Sequence, residues 1–467
     1  MSLPKPGSDA TLTDWLAYLE ALHPVAIELG LDRVRAVASK MGLRLDGVNI
    51  IVGGTNGKGS TCAMLEAILL AAGYKVGMYT SPHLIDFNER IRVNGELATD
   101  AQIIEQLAAI EAGRGPVSLT YFEYTTLAAL LMFQKHTVDV AVLEVGLGGR
   151  LDAVNIIDAD CAIVTSVDMD HMQLLGDTRE QIGWEKAHIF RPGRPAICAD
   201  PVPPQSLVDH ARDIEADLWR FGKDFNYSGD RLQWAYGGRS RRRAGLGYPS
   251  LRGANQLLNA SAALAALEAL EDRLVVPQQA VRLGLSQAAL PGRLQILPGL
   301  PTIVLDVAHN PHAAAALGQN LDAMAHSNAT HAVVGMLGDK DVAGVVSRLA
   351  TRVDHWYCAS LGGPRGLSGE KLADIVRQAT AAGAAEPAPE LPAVGPVVAG
   401  AKVRARVLAR PSAAAQRKEP GSISTFENPV QAFTEARKRA TDNDRILVFG
   451  SFATVGPVLQ ELSHKAD

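Results

Sequence analysis

A glycine-rich segment follows a short apolar strand pattern near the start of the chain. The pattern at Val48–Gly53 is typical of a buried parallel strand, and residues 53–61, Gly-Gly-Thr-Asn-Gly-Lys-Gly-Ser-Thr, lead from it into a helical pattern. Glycines let a backbone turn tightly and point its N–H groups at phosphate oxygens, and the N-terminus of the helix adds a partial positive charge. Strand, loop and helix in this order predict a nucleotide-binding loop in an α/β fold.

The residues of this phosphate loop have separate expected roles. Lys58 is long enough to reach the β- and γ-phosphates, and Ser60 or Thr61 supplies a hydroxyl for magnesium. The spacing departs from the standard Walker pattern, because Val52 stands where its first glycine would be and Gly59 follows the lysine. The alternative is a glycine-rich turn without nucleotide, but the strand–loop–helix order favours ATP. We expect five consecutive residues to contact it: Asn56, Gly57, Lys58, Gly59 and Ser60.

Strand and helix patterns alternate along most of the chain. Residues 1–292 predict an α/β P-loop domain with a doubly wound, mostly parallel sheet, and residues 301–467 predict a smaller Rossmann-like α/β domain. The stretch 290–301 between them, with three prolines and two glycines, is interpreted as a linker. Residues 381–424 are mainly Ala, Pro, Gly and Val and predict a flexible insertion, whereas 220–247 is interpreted as a β excursion with a solvated basic loop. The predicted strands are Val48–Gly53, Lys75–Thr80, Val138–Val145, Cys161–Val167 and Pro195–Ala199, then Thr302–Val307, His331–Gly335, His355–Ala359 and Arg445–Gly450.

Composition argues against several classes of protein. A net charge of -5 and a pI near 6.2 are unlike those of a nucleic-acid-binding protein. The 4 cysteines form no CxxC pair, which excludes the usual zinc spacings and is typical of reduced thiols in the cytosol. Residues 1–13 lack the apolar core of a signal peptide, and no apolar stretch is long enough to span a bilayer. We therefore expect a cytoplasmic monomer with neither nucleic-acid nor membrane partners.

The form of the phosphate loop, Gly-Thr-Asn-Gly-Lys-Gly-Ser, resembles that of the Mur ligase superfamily, and specifically of the folylpolyglutamate synthase and dihydrofolate synthase family. Further stretches fit that family in the same order, so the resemblance covers nearly the whole chain except the region near 381–424. They are Thr80–His83, Glu144–Asp152, Asp168–His171, Trp184–Ala187 and Asp306–Pro311.

The resemblance implies an ATP-dependent amide ligase that adds L-glutamate to dihydropteroate and to reduced folates. A carboxylate does not form an amide directly at a useful rate, because hydroxide is a poor leaving group. ATP first phosphorylates the carboxylate, and the amine of glutamate then displaces phosphate from the acyl phosphate. Two anions must be brought together, so fixed cations and magnesium are required.

The resemblance also implies two magnesium sites. Ser81 and Glu144 would hold one ion, and Glu144 with His171 the second; taken alone, Glu144 could be a buried ion-pair carboxylate and His171 an ordinary loop histidine. Lys186 matches a lysine that the family carries as a carbamate, whereas its simplest interpretation is a partly exposed helical lysine paired with Glu185.

Other residues are implied to hold ATP and glutamate. Asn259, Arg293 on the linker and Asp306 in the second domain would clamp ATP between the domains, and His309 resembles a residue that handles glutamate. For Arg293 the alternative is a surface charge, and for Asp306 and His309 a strand-to-helix turn. The residues implied to be catalytic are Lys58, Glu144, His171, Lys186 and His309.

Three patches are implied to bind the pterin substrate. The alternative for the first two is ordinary amphipathic helix, since Leu29 and Phe122 suit core positions. The bacterial bifunctional enzymes that these patches resemble use dihydropteroate as well as folates. The patches are Ile27, Glu28 and Leu29; Thr120, Tyr121, Phe122 and Glu123; and Leu151, Asp152 and Ala153.

Two other functions compete with this interpretation. A cell-wall ligase of the Mur type is expected to carry an extra N-terminal domain for a uridine nucleotide, and the stretch before Gly53 is short for one. A P-loop nucleotide-binding protein without ligase activity would not need Glu144, His171 and Asp306 together. Release of ADP that depends on both glutamate and a pteroate distinguishes the ligase from such a protein.

Overall fold

The chain folds into two compact units. The computed structural model describes residues 4–25, 27–230, 232–382 and 421–464. The first unit comprises Met1–Ser250 with Leu257–Ala289, and the second comprises Leu251–Gln256 with Leu290–Asp467. The predicted fold class is confirmed, since both units combine helices with a sheet in which parallel pairing predominates.

The first unit is built on an eight-stranded sheet in the described residues, with the strand order β4-β3-β2-β5-β1-β6-β7-β8. The antiparallel pairs of this sheet are β2 with β3 and β3 with the edge strand β4. Its strands are β1 (Val48–Gly53), β2 (Val76–Tyr79), β3 (Ile91–Val93), β4 (Glu96–Leu97), β5 (Val140–Glu144), β6 (Cys161–Val164), β7 (Pro195–Cys198) and β8 (Asp217–Arg220).

Helices cover this sheet, and none in the described residues has both the length and the apolar character that a membrane crossing requires. Short 3-10 helices also occur at Phe87–Arg90 and Ala153–Ile156. The α-helices are α1 (Leu12–Leu22), α2 (Asp32–Lys40), α3 (Lys58–Ala71), α4 (Asp100–Gly113), α5 (Tyr121–His136), α6 (Met172–Leu175), α7 (Arg179–Ala187), α8 (Gln205–Asp213), α9 (Gln256–Ala269) and α10 (Gln278–Gln287).

The position of β1 decides where the loops that carry the expected site residues meet. Every residue of β1 is buried, and the strand pairs in parallel with β5 on one side and β6 on the other. The chain therefore leaves the carboxyl ends of β1, β5 and β6 at one edge of the sheet, where α/β folds bind ligands. The phosphate loop, Glu144 and the loop that reaches His171 all begin at this edge.

The second unit has a six-stranded sheet in the described residues, with the order β12-β13-β17-β14-β15-β16. All pairs are parallel except β12 with β13. Its elements are β12 (Gln295–Leu297), β13 (Thr302–Asp306), α11 (Pro311–Ala323), β14 (Thr330–Val334), α12 (Val342–Leu349), β15 (His355–Ala359), α13 (Gly369–Ala382), β16 (Ser422–Phe426), α14 (Pro429–Arg439), β17 (Arg445–Phe449) and α15 (Phe452–His464).

Several predicted segments differ from the structure. Residues 295–297 of the expected linker form β12, because their backbone groups pair with β13. The expected insertion at 381–424 lies mostly outside the described residues, but its ends belong to α13 and β16. Residues 251–256 group with the second unit and not with the first.

The β excursion at 220–247 is confirmed as an antiparallel three-stranded sheet in the described residues, with β9 (Asn226–Gly229), β10 (Trp234–Gly237) and β11 (Arg242–Leu246). Residues 239–242 are exposed, as expected of a solvated loop, although the last of them already begins β11. Arg239 forms ion pairs with Asp217 and Asp224, and Arg241 pairs with Glu271. These pairs tie the excursion to β8 and to the end of α9.

Helix α10 packs against α3, the helix that follows the phosphate loop, at Gly284. A Cβ atom added at Gly284 would lie 2.4 Å from the Cα atom of Ile68. Since that contact is with backbone, Gly284→Ala must push the helices apart. We expect the free energy of unfolding of the first unit to fall by about 1–3 kcal/mol, measured by urea denaturation.

The matched control is Gly237→Ala in β10, where an added Cβ meets nothing within 4 Å. This variant should unfold at nearly the urea concentration of the parent. Equal stability of the two variants would contradict the tight packing of α3 on α10.

Candidate functional site

The phosphate loop ends at a glycine that immediately precedes α3. Gly57 is the N-cap of α3 and has φ 91°, a conformation in which a side chain is strained. The Nζ of Lys58 donates to the carbonyl oxygens of Gly54 at 3.1 Å and Thr55 at 3.3 Å. Lys58 thus folds back over its own loop, as expected of a residue that contacts phosphates.

Asn259 of α9 lies directly against this loop. A Cβ atom added at Gly57 would be 2.5 Å from the Oδ1 of Asn259. The Asn259 side chain is buried. The structure therefore brings together Asn259 and the phosphate loop, which are some two hundred residues apart in the chain.

The loop after β6 is bound to the phosphate loop by hydrogen bonds. The N–H of Thr55 donates to the carbonyl of Ser166 at 2.7 Å, and the N–H of Asn56 donates to the Ser166 hydroxyl at 3.0 Å. In return the Thr165 hydroxyl donates to the carbonyl of Asn56 at 2.7 Å. These bonds explain why β6 ends at Val164, three residues before the predicted end: residues 165–167 leave the strand pairing for the phosphate loop.

His171 lies at the end of the same loop. The N–H of Asp168 donates to the Thr55 hydroxyl at 2.9 Å, so the segment that leads to His171 is fixed to the phosphate loop. His171 has φ 51°, an uncommon conformation for a residue other than glycine, and its side chain is one-third exposed. Strained, partly exposed residues of this kind occur often at functional sites.

Ser81 follows β2 and lies beside Glu144, the last residue of the neighbouring strand β5. The N–H of Ser81 donates to the Oε2 of Glu144 at 3.1 Å, and Glu144 is only 5% exposed. A hydroxyl beside a carboxylate is a suitable oxygen donor set for a hard divalent cation. Within the described residues no group of three or more His, Cys, Asp or Glu side chains is arranged to hold a metal ion. A cation at Ser81 and Glu144 would therefore need phosphate oxygens or water to complete its coordination.

Lys186 is buried in the same region, which corrects the expectation that it is partly exposed. The side chain is 4% exposed, and its Nζ donates to the carbonyl of Gly54 at 3.0 Å. Burial, helped by the nearby charge of Lys58, lowers the pKa of Lys186 to about 7, against weaker opposition from Asp170 and Asp152. A large fraction of this amine is therefore neutral near pH 7.

Two of the patches expected to bind the pterin meet at Arg33, a residue that the sequence analysis missed. The guanidinium of Arg33 forms an ion pair with Glu28 and another with Glu123, the latter at 3.2 Å. Thr120 and Glu123 also cap α5, since each side chain accepts a hydrogen bond from the backbone N–H of the other. Arg33 carries no motif, and only the fold shows that it connects α2 with the start of α5.

The segment 27–29 is not helical, so the alternative of an amphipathic helix is wrong for it. It lies between α1 and α2, and Ile27 is 49% exposed. Leu29 is partly buried and does not occupy a core position. The exposed Ile27 side chain beside Glu28 is available to a ligand.

The third patch lies close to the second. A Cβ atom added at Gly146, just after β5, would be 2.5 Å from the ring of Phe122. Asp152 accepts hydrogen bonds from the N–H groups of Leu147 at 2.8 Å and Val154 at 2.9 Å. Burial raises the pKa of Asp152 to about 6, although these N–H groups oppose the shift.

Leu151 and Ala153 flank that carboxylate on either side along the chain. Leu151 is partly buried, whereas Ala153 is buried in the core. The Ala153 side chain therefore has a packing role whether or not it also contacts a ligand.

Two of the expected site residues of the second unit lie beside Phe452, and the third, Asp306, is close to both of them. The Arg293 guanidinium carbon lies 5.0 Å from the centre of the Phe452 ring, and the His309 ring lies 6.4 Å from it, centre to centre. Asp306 accepts from the N–H groups of Leu294 and Ala308 at 2.8 Å each. Burial raises the pKa of Asp306, and the charge of Arg293 opposes this. Arg293, Asp306 and His309 therefore form one cluster.

Comparison with known proteins places these features in a family. The Mur ligase middle domain matches residues 52–267. The Mur ligase glutamate ligase domain matches residues 292–394. The dihydrofolate synthase/folylpolyglutamate synthase of Escherichia coli K12 is 42% identical over 456 residues, which are 97% of this chain and 96% of that protein.

Solved structures are similar over nearly the whole chain as well. E. coli FolC in complex with DHPP and ADP has a TM-score of 0.87 at 41% identity, and covers 99% of this chain and 100% of its own. A bifunctional folylpolyglutamate synthase/dihydrofolate synthase with Mn, AMPPNP and L-glutamate bound has a TM-score of 0.83 at 41% identity, covering 98% of this chain and 99% of its own.

The contact between Gly57 and Asn259 predicts that Gly57→Ala will weaken nucleotide binding. The added methyl group strains the backbone and overlaps the Asn259 amide, so the loop must move. We expect affinity for ADP, measured by isothermal titration calorimetry, to fall by about 10- to 100-fold.

Gly73→Ala is the matched control. Gly73 lies at the other end of α3 with nearly the same φ, 92°, but an added Cβ there meets nothing within 4 Å. It should lose some stability and keep its affinity for ADP. If both variants bind ADP like the parent, the assignment of the loop is wrong.

Proposed function

The chain belongs to the dihydrofolate synthase/folylpolyglutamate synthase family of Mur ligases, and we propose that it uses ATP to join L-glutamate to dihydropteroate and to reduced folates through an acyl phosphate. The observation that carries this proposal is the convergence of Lys58, Lys186 and the Ser81–Glu144 pair at one edge of the first sheet. The Lys58 ammonium and the Lys186 amine lie there beside a carboxylate and a serine residue, which suits phosphoryl transfer to a carboxylate.

The chain's own residues supply the groups that this transfer needs. The N–H groups of the phosphate loop and the Lys58 ammonium would hold the β- and γ-phosphates, while Asn259 supports the loop from behind. The acceptor carboxylate attacks the γ-phosphorus, and ADP leaves. The neutral amine of glutamate then attacks the acyl carbon, an amide bond forms, and phosphate and a proton are released.

The residues present fit a divalent cation. Ser81 with Glu144, and Glu144 with His171, would hold the two magnesium ions that we propose. Bound magnesium neutralises phosphate and carboxylate charge during phosphoryl transfer. Glu144 is positioned for this by the N–H of Ser81, and His171 by the loop that is tied to Thr55.

Lys186 is proposed to carry a carbamate. Its neutral amine would attack the carbon of carbon dioxide, forming an N–C bond and releasing one proton. Two observations support this: the amine is buried, and burial with the charge of Lys58 lowers its pKa to about 7. The product is an anion beside Lys58, where an ammonium ion would be repelled.

Other roles follow from the remaining clusters. Arg293 and Asp306 are proposed to contact ATP and His309 to handle glutamate. The position of Arg293 and His309 beside Phe452, with Asp306 near both, supports this. Residues 27–29, 120–123 and 151–153 are proposed to bind the pterin, supported by the Arg33 bridge and the contact of Phe122 with Gly146. The expected cytoplasmic location and monomeric state stay predictions.

Glu144→Gln tests both the proposed activity and the role of the Glu144 carboxylate in it. The parent protein, given ATP, glutamate and either dihydropteroate or tetrahydrofolate, should form each glutamylated product, read by mass spectrometry. Glu144→Gln keeps the shape of the side chain but removes its charge, so turnover should fall by about 100-fold or more and should not recover at high magnesium.

The control is Glu105→Gln, which removes an exposed carboxylate paired with Lys135. That variant should be as active as the parent. Parent protein that glutamylates only the folate would refute the dihydropteroate activity, and full rescue of Glu144→Gln by magnesium would make Glu144 peripheral.

Lys186→Ala should lose most activity, because the site loses its carbamate. Acetate or formate at high concentration should restore part of the rate by occupying the vacated space. Lys186→Arg should not be rescued, because its guanidinium fills the site and stays positive. In the parent, a carbamate signal from carbon-13 bicarbonate should be visible by NMR and should weaken as the pH falls below about 7, where the unmodified amine is protonated.

Alanine and arginine variants that are as active as the parent would end the carbamate proposal. So would an active parent protein whose NMR spectrum lacks the carbamate signal at every pH.

A further inference from the structure

Arg90 carries a buried charge that the proposed function has not used. It ends the 3-10 helix Phe87–Arg90 and is only 9% exposed. Its guanidinium carbon lies 5.4 Å from the centre of the Phe87 ring and 5.6 Å from that of Tyr121. Its Nε donates to the Nδ1 of His83 at 2.9 Å. The two aromatic rings and the histidine hold the guanidinium in one orientation.

No carboxylate of the described residues lies within ion-pair distance of Arg90, and its Nη1 and Nη2 have no hydrogen-bond partner among those residues. Two partly buried arginines of the first unit differ. Arg92, two residues further along, pairs with Glu66 at 3.1 Å, and Arg114 pairs with Glu111 at 2.7 Å. Because a largely buried charge is costly unless it is paired, this guanidinium is well placed to bind an anionic ligand.

The surroundings of Arg90 indicate which anion this is. Its carbonyl oxygen accepts from the N–H of Thr80 at 2.9 Å, so its backbone is fixed beside the residue that precedes Ser81. On its other side lies Tyr121, in the patch proposed to bind the pterin. An acceptor that reaches from the pterin patch to Ser81 and Glu144 passes this guanidinium, and the end of the acceptor that arrives there bears its carboxylates.

We propose that Arg90 binds a carboxylate of the pteroate or folate acceptor and so positions the reacting end of that substrate towards Ser81 and Glu144. The inference rests on the proposed function and adds a positioning residue to it. Dihydropteroate has a single carboxylate, the one that is activated. A folate also has the α-carboxylate of its terminal glutamate, which does not react.

The geometry suits a guanidinium better than an ammonium. Two Nη groups in one plane donate to both oxygens of a carboxylate, and aromatic faces on the guanidinium keep that plane fixed. The Phe87 and Tyr121 rings, which lie edge to face at 6.3 Å, provide these faces. A lysine at the same position supplies a positive charge but not two coplanar N–H donor groups.

The test is a binding cycle without ATP, which separates substrate binding from turnover. Parent protein, Arg90→Gln and Arg90→Lys are titrated with dihydropteroate and its carboxamide, and with folate and its α-carboxamide. Arg90→Gln should bind the acids about 10- to 100-fold more weakly than the parent does, with Arg90→Lys between them. When the carboxylate that Arg90 recognises is replaced by a carboxamide, the parent and Arg90→Gln should bind that ligand with equal affinity.

The two acceptors identify the carboxylate. Weaker binding of both dihydropteroate and folate assigns the contact to the reacting carboxylate. Weaker binding of folate alone assigns it to the α-carboxylate. Either result supports the inference, and both predict a raised KM with a smaller change in kcat.

Arg92→Gln is the matched control, since it removes a guanidinium two residues away that is already paired with Glu66. It should lower the melting temperature without distinguishing acids from carboxamides. The inference is overturned if Arg90→Gln weakens the binding of acid and carboxamide by the same factor, or weakens the binding of neither. Arg90 would then only pack between the two rings. A parent protein that binds neither acid would overturn the proposed function together with this inference.

Discussion

Hydrogen bonds join the phosphate loop to the loop after β6, and the geometry of the first unit's site depends on them. Thr55 and Asn56 donate their N–H groups to Ser166, and the Thr165 hydroxyl donates back to Asn56. These bonds satisfy backbone groups that would otherwise be buried without partners at the edge of the sheet. They also fix the start of the segment that ends at His171, so the loops from two strands move as one.

Charge is concentrated around these loops. The amines of Lys58 and Lys186 both donate to the carbonyl of Gly54, at 3.1 Å and 3.0 Å. Their mutual repulsion, added to burial, explains the lowered pKa of Lys186. Such a site favours anions, which is the property that phosphates, a substrate carboxylate and a carbamate have in common. A positively charged region prepared in the absence of ligand needs little reorganisation when phosphate arrives.

Most errors of the sequence interpretation concern exposure and not element type. Lys186 is predicted as a partly exposed helical lysine, yet α7 places it under the phosphate loop. Leu29 has the character of a core residue, yet it lies only partly buried in the segment between two helices. Helical periodicity shows which residues share a face, but it does not show what covers that face. The strand at Gln295–Leu297 was missed because its pairing partner, β13, compensates for a local composition rich in proline and glycine.

The sequence by itself determined the α/β class, the phosphate loop and most of the strands, because apolar alternation and glycine position are local properties of the chain. Only the tertiary structure decided which distant side chains meet. It places Asn259 against Gly57, connects Glu28 to Glu123 through Arg33, and leaves Arg90 buried between aromatic rings. These contacts depend on strand order and helix packing, and such long-range geometry has no signature within a short window of sequence.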